Sequence, residues 1–256
     1  MLNALFDKVI LDFKYDEMAQ INFYKDEFEN SFAKFIARKS DLYGLLDQSD
    51  KVVLPFKYES IRQVRSTKNF MVRKDQKRGM VNNMVEILIP LIYDTIYNSY
   101  FEHERLTTEI GENEGRIDRD AGVTIPAIYF NIKPVEKYGY LVSILDDGYK
   151  AGYLSYNGES LIPIKYKSVL LVDEDVNEAS LQCLCVENPE GKIALYNWSG
   201  QPLTDFVFDN VEYFQRSTLL VDIGDLQFEL NQFGECINDC PSKEKLKRYN
   251  LKLNVE

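Results

Sequence analysis

The chain holds one histidine, His103, so any Ser-His-Asp or Cys-His relay would have to run through it. It stands in Glu102-His103-Glu104-Arg105, a polar stretch, and no Gly-x-Ser-x-Gly elbow occurs anywhere. We read His103 as exposed and non-catalytic. The cysteines are Cys183, Cys185, Cys236 and Cys240. Alternation along a strand puts Cys183 and Cys185 on one face, and a four-thiolate zinc site would be open to them if the second pair lay near. The usual ligand spacing is C-x₂₋₄-C, which C-x-C does not fit. Buried thiols are the simpler reading, so no metal is expected. Three acidic groups could support carboxylate chemistry or calcium: Asp146-Asp147, Asp173-Glu174-Asp175 and Glu109 through Glu114, with Glu112 and Glu114 among them. The second lacks the glycine and closing glutamate of a calcium loop. All three read as solvated loops inserted between structural units, available to a basic partner. Trp198, the one tryptophan, sits at a turn, where it would serve either as a recognition anchor or as packing over a neighbouring unit. No phosphate-cradling or dinucleotide-binding glycine motif is present, so no cofactor is expected.

Bulk composition narrows the partner. The net charge is −11 over 256 residues, which repels nucleic-acid backbones and anionic lipid and favours a basic protein. The basic run Arg73-Lys74-Asp75-Gln76-Lys77-Arg78 reads as edge protection of a hairpin rather than as a nucleic-acid site. No basic, apolar leader opens the sequence, and no apolar run reaches the ~18 residues of a membrane span. These features, with four cysteines in such a length, give the expectation of a cytoplasmic protein.

The elements that must carry these residues are repeated. Asp12, Pro55, Pro90, Pro126, Pro163 and Asp205 form an anchor column. Three residues later stand Tyr15, Tyr58, Tyr93, Tyr129, Tyr166 and Phe208, and six later Met18, Ile61, Ile96, Ile132, Val169 and Val211. Eleven before the anchor stand Gly44, Gly79, Gly115 and Gly152, with Ala194 in the fifth unit. The anchors are separated by 43, 35, 36, 37 and 42 residues, a period of about 36 with two longer spacings. A decayed last unit spans Phe228 to Asp239, and the first is truncated, which makes about seven copies.

Each copy reads as short strands around tight turns. Apolar residues after the glycine lead into Asn-Gly or Ser-Gly turns such as Tyr156-Asn157-Gly158 and Trp198-Ser199-Gly200, and a second strand runs into the proline. Proline donates no ladder hydrogen bond, so it should end that strand or sit on an edge. The aromatic residue should fold back under the hairpin, and the glycine should admit a close approach. One such unit cannot bury its own apolar face and must stack on its neighbours. The expected fold is all-β: about seven stacked hairpin repeats over residues 1–240 in an open or partly closed superhelix, or else a closed β-propeller. Residues 241–256 form a tail or cap, with Ser242 placed to cap a short helix.

The stretch Gly44-Leu45-Leu46-Asp47, continuing to Pro55-Phe56-Lys57-Tyr58-Glu59 and Ile61, resembles the bacterial WG-repeat family. The resemblance extends over roughly residues 1–240. The family's tryptophan is replaced by Tyr43, Arg78, Glu114 and Ala151 before the four glycines. The resemblance implies a repeat scaffold for interactions with no shared catalytic site. The expected function is therefore a non-enzymatic binding module, in its specific form an immunity, inhibitory or regulatory subunit for a basic protein. The competing readings are a hydrolase with carboxylates in a channel or cleft, and a self-assembling structural subunit.

Overall fold

The computed structural model describes residues 15–21, 35–64, 67–98, 105–118, 124–135, 138–171, 183–213 and 218–248. They form antiparallel sheets of three or four short strands, one sheet per repeat. The first described repeat contains β1 (Glu17–Gln20), β2 (Phe35–Lys39), β3 (Leu42–Leu46) and β4 (Val52–Tyr58), hydrogen-bonded in that order. The second repeats the pattern with β5 (Ser60–Gln63), β6 (Phe70–Lys74), β7 (Lys77–Val81) and β8 (Ile87–Tyr93). The third begins with β9 (Thr95–Asn98), β10 (Arg105–Ile110) and β11 (Asn113–Asp118). By contact the chain divides into two compact units, Met1–Val123 and Thr124–Glu256.

The second unit opens with β12 (Thr124–Tyr129), followed by a four-stranded sheet of β13 (Asn131–Val135), β14 (Gly139–Leu145), β15 (Tyr149–Ser155) and β16 (Ser160–Tyr166). A three-stranded sheet of β17 (Ser168–Leu171), β18 (Cys183–Glu187) and β19 (Ile193–Asn197) comes next. The last sheet holds β20 (Asn210–Tyr213), β21 (Thr218–Ile223), β22 (Leu226–Asn231) and β23 (Cys236–Asn238). A short helix, α1 (Lys243–Arg248), ends the described chain, and its Lys245 N–H is 3.4 Å from the Ser242 hydroxyl that was expected to cap it. Six sheets account for the copies from Ile61's predecessor Met18 onward, while the truncated first copy around Asp12 lies outside the described residues.

The glycine column sets the geometry of the fourth strand. Tyr43 pairs with Tyr58 and Leu45 with Leu54, so Pro55, Phe56 and Lys57 bulge across Gly44. The same shift places Tyr93 and Ile89 opposite Arg78 and Met80, and Tyr166 and Ile162 opposite Ala151 and Tyr153. A Cβ on Gly44, Gly79 or Gly152 would meet the carbonyl oxygen of Leu54, Ile89 or Ile162 at 2.8, 2.6 or 2.8 Å. The prolines therefore do not end their strands. Pro55, Pro90 and Pro163 sit inside β4, β8 and β16, at a bulge on the outer strand of each sheet, where a missing N–H costs no ladder bond. The aromatic column turns inward: Tyr58 and Tyr93 beside the bulges are buried and Tyr166 is half-buried, and Tyr129 and Phe208 in the same column are buried too.

Where the column loses its glycine, the fourth strand fails. Ala194 is buried, and the strand beside it shrinks to isolated bridges Ile193 to Phe208 and Tyr196 to Pro202. In the last repeat Phe228 occupies the position, and β23 keeps only three residues.

Two further columns at fixed offsets hold the turns. Eight residues before each anchor position stand Asp47, Asn82, Ser155, Asn197 and Asn231. Each accepts the backbone N–H groups of the residues two and four further on. This is the Asx- or Ser-turn bond that competes with extended structure. Three residues after it the backbone enters the left-handed region, at Asp50, Val85, Gly158, Gly200 and Gly234.

Each unit has its own apolar core. In the first, Leu45, Leu54, Tyr58, Phe70, Val72 and Val81 pack together. In the second, Tyr153, Ile162, Leu184 and Val186 form one cluster, and Leu195, Phe208, Leu219, Val221 and Phe228 form another.

Gly79→Ala would force a methyl into a 2.6 Å approach to a backbone oxygen. It should lower unfolding free energy by about 2 kcal/mol, the usual cost of overpacking a site that cannot yield. Urea unfolding of variant and parent measures the difference, and an unchanged midpoint would remove the glycine column from the fold's determinants.

Candidate partner-binding surface

The turn joining the second and third strands of each repeat is short and polar. Its backbone requires unusual conformations: φ is positive at Ser40 and Asp41, at Asp75 and Gln76, at Gly111, at Asp147 and Gly148, at Gly191 and at Gly224. Small, Asp or Gly residues meet that need. The tips consequently carry carboxylates, and Asp41, Asp75, Glu112, Asp146, Asp147, Glu190 and Asp225 are all exposed. Glu112, Asp146 and Asp147 were expected in insertions between units. They lie instead at hairpin tips within sheets, because the β10–β11 and β14–β15 ladders run right up to them.

The remaining candidates fall elsewhere. Glu114 is on β11, where its carboxylate sits 3.1 Å from the Arg116 guanidinium. Asp146 lies 3.5 Å from the Lys150 ammonium. Trp198 is half-buried, stacked on Tyr138 with ring centroids 4.8 Å apart and planes 8° from parallel, and tilted against Tyr153. Its indole N–H is buried without an acceptor, so the ring is engaged in packing over the preceding repeat. Tyr153 and Tyr138 belong to the end of the β14–β15 hairpin away from its tip, so the structure does not bring Trp198 to Asp146 and Asp147. Asp173, Glu174, Asp175 and His103 lie outside the described residues.

A second set of acidic residues, four positions after the anchors, fastens the tips. The Asp16 carboxylate accepts the Ser40 N–H, Glu59 that of Gln76, Asp94 that of Gly111 and Asp209 that of Gly224, at 2.8 to 3.1 Å. Asp94 also accepts from the Lys77 ammonium of the preceding repeat, and Asp209 from Lys192, each at 2.5 Å. The Lys77 ammonium and then the Gly111 N–H hold the Asp94 carboxyl below its ordinary range. For Asp209 the Gly224 N–H leads and Lys192 follows. Sequence reasoning missed this column although its offset is fixed, since it holds Asp, Glu, Phe130 and Lys167 in different units and its role shows only through the turn it binds.

The cysteines correct one expectation. Cys236 and Cys240 form a disulfide with Cα atoms 5.8 Å apart, a separation that a bridge requires, and they lie at the surface rather than in the core. Disulfides persist in oxidising compartments, so the cysteine count no longer argues for a reducing one. Cys183 and Cys185 are free thiols. Burial raises both, Cys183 to about 12, which keeps them as thiols at neutral pH. Among the described residues no three His, Cys, Asp or Glu side chains are grouped to hold a metal ion, and no helix is long and apolar enough to cross a membrane.

The repeat geometry has a counterpart in a known family: residues 43–77 match the model of the WG containing repeat. The match spans Gly44, the β3–β4 turn, the Pro55 bulge and the start of the next sheet, the features that recur at the other anchors. No curated protein matches the chain. Among solved structures, Hsv2p of Kluyveromyces lactis shares 9% identity at a TM-score of 0.28, covering 77% of this chain and 70% of its own. BamB from Moraxella catarrhalis shares 12% at 0.26, covering 75% and 65%. The computationally designed Ika8 protein shares 10% at 0.28, covering 78% and 68%.

Carboxylates with depressed pKa stabilise the fold fully above their unfolded value, and the contribution is lost as pH falls through the folded one. The double variant Asp94→Asn, Asp209→Asn should therefore melt below the parent at pH 7, with the gap closing towards pH ~3 as the parent protonates. Melting curves across that range test the clasp, and a gap independent of pH would refute it.

Proposed function

We propose that the chain is a non-enzymatic interaction scaffold for another protein, one with a basic docking face, acting as an immunity, inhibitory or regulatory subunit. One observation carries this reading. Every described repeat from the first to the last puts an exposed carboxylate at the same turn, from Asp41 and Asp75 through Glu112, Asp146 and Asp147 to Glu190 and Asp225. Repetition of a charge at equivalent positions, on turns pinned by backbone bonds, presents a pre-organised pattern that lowers the ordering cost of association.

A carboxylate-dependent hydrolase would need a desolvated carboxyl whose affinity for its proton is raised. Asp94 and Asp209 are instead lowered, and both are bonded into the hairpins they hold. That supports binding over catalysis. The acidic tips also favour a cationic partner over nucleic acid or an anionic membrane.

The test is retention of partners from the source cells on the immobilised chain, with elution over about 0.05–0.5 M salt. A basic protein should bind and leave early in the gradient. A variant with Asp41, Asp75, Asp146 and Asp147 changed to Asn and Glu112 changed to Gln should lose it. Equal retention by the neutralised chain, or elution indifferent to salt, would overturn the proposal.

A further inference from the structure

A cleft of about 250 Å³ opens in the first unit, lined by Arg62, Gln63, Val64, Met71, Tyr97, Asn98 and Leu106. Its lining comes from the first two strands of consecutive repeats, β5 and β6 on one side and β9 and β10 on the other. Val64, Met71 and Leu106 are buried and give it an apolar floor. Arg62, Tyr97 and Asn98 are exposed and, with half-buried Gln63, give it a polar rim.

Arg62 is the cationic member. Arg38, Arg73, Arg105 and Arg116 are each paired with a carboxylate, at 2.8 to 3.1 Å. Among the described residues Arg62, like Arg78 outside the cleft, has no ion pair, although the chain carries a net charge of −11. A guanidinium left unpaired beside an apolar floor is suited to a bidentate carboxylate. Glu109, on β10, accepts the Tyr97 hydroxyl at 3.0 Å, so its carboxylate is engaged at the Tyr97 side of the rim. It pairs across the sheet with Thr95, on the face opposite to that of Asn98 and Leu106. The volume is below that of drug-sized pockets, about 300–1,000 Å³, and suits one large side chain or a small organic acid.

We infer that this cleft binds an apolar group that ends in a carboxylate, with the acid on Arg62 and the apolar body on Val64, Met71 and Leu106. The C-terminal residue of a peptide and a free aromatic or aliphatic acid share that chemistry. The site is separate from the acidic tips and does not depend on the scaffold reading.

Calorimetric titration tests it on the full chain, with four probes: N-acetyl-phenylalanine, its amide, phenylpropionate, and a short peptide with phenylalanine as its free C-terminus. The carboxylates should bind, and the amide should bind at least tenfold more weakly. Arg62→Gln should remove that preference, while Arg62→Lys keeps part of it, and melting curves of both variants verify that they fold. Tighter binding of the peptide than of phenylpropionate assigns the site to a chain terminus, and the reverse order to a free acid. Equal binding of acid and amide, binding unchanged by Arg62→Gln in a folded variant, or no binding at millimolar probe would overturn the inference.

Discussion

A carbonyl oxygen lies 2.6 to 2.8 Å from the place where Gly44, Gly79 and Gly152 would carry a Cβ, and the rest of each repeat is arranged around that contact. Close approach lets the outer strand cross over the third, with three residues set against one. The crossing gives proline a position where its missing N–H is harmless, and it delivers the following tyrosine into the core. Ala194 and Phe228 are the natural counter-examples. With a side chain at that position, the outer strand is reduced to bridges or to three residues. A single missing methyl thus links a backbone register, a strand edge and a buried aromatic.

Much of this was legible because it is periodic. The glycine, anchor and aromatic columns agree at fixed offsets, and the sheets follow them. Of the two places open to proline, a strand end or an edge, Pro55, Pro90 and Pro163 take the edge, within strands, since a bulge absorbs a residue that a flat ladder would reject. The turn-holding residues Asp47, Asn82, Ser155, Asn197 and Asn231 also keep a fixed offset but not a fixed identity, because any side-chain oxygen can accept the two N–H groups. The cleft beside Arg62 had no sequence signal. Its walls come from residues some 35 positions apart in two copies, and Arg62 does not recur at the equivalent positions, where Ala19, Tyr97, Lys133, Leu170 and Glu212 stand. The surface disulfide was equally hidden, since the spacing of Cys236 and Cys240 suits a ligand pair as well as a bridge.

Two populations of carboxylate share the acidic charge. Asp16, Glu59, Asp94 and Asp209 turn inward on the hairpin tips and accept their N–H groups. Asp41, Asp75, Glu112 and Asp225 stand on those same tips and face water. Each exposed charge is therefore presented by a turn that another charge holds still. Lys77 and Lys192 pair with the holding carboxylates of Asp94 and Asp209, so in these two repeats the inner charge is spent on the fold. Because Asp94 and Asp209 are held below the ordinary carboxylate range, their clasps persist to lower pH than a carboxylate at its ordinary value would allow.

The third repeat departs from the others in its core. The residue after the glycine position is Leu45, Met80, Tyr153 or Leu195 in the first, second, fourth and fifth repeats, each fully buried, and half-buried Glu229 in the last, whereas here it is Arg116, itself 6% exposed and set against Glu114. On the neighbouring strand Arg105 is buried at 3% and pairs with Asp118 at 2.8 Å. Buried ion pairs recover little more than their desolvation cost, and apolar residues of similar size usually do as well or better. A repeat array draws its cohesion from apolar faces shared by neighbours. The column is apolar through the first two described repeats, charged in the third, and apolar again through the fourth and fifth. The chain divides into its compact units at Val123 and Thr124, just beyond β11. Within the first unit the third repeat is therefore the one whose column residue relies on ion pairing where its two predecessors rely on apolar burial.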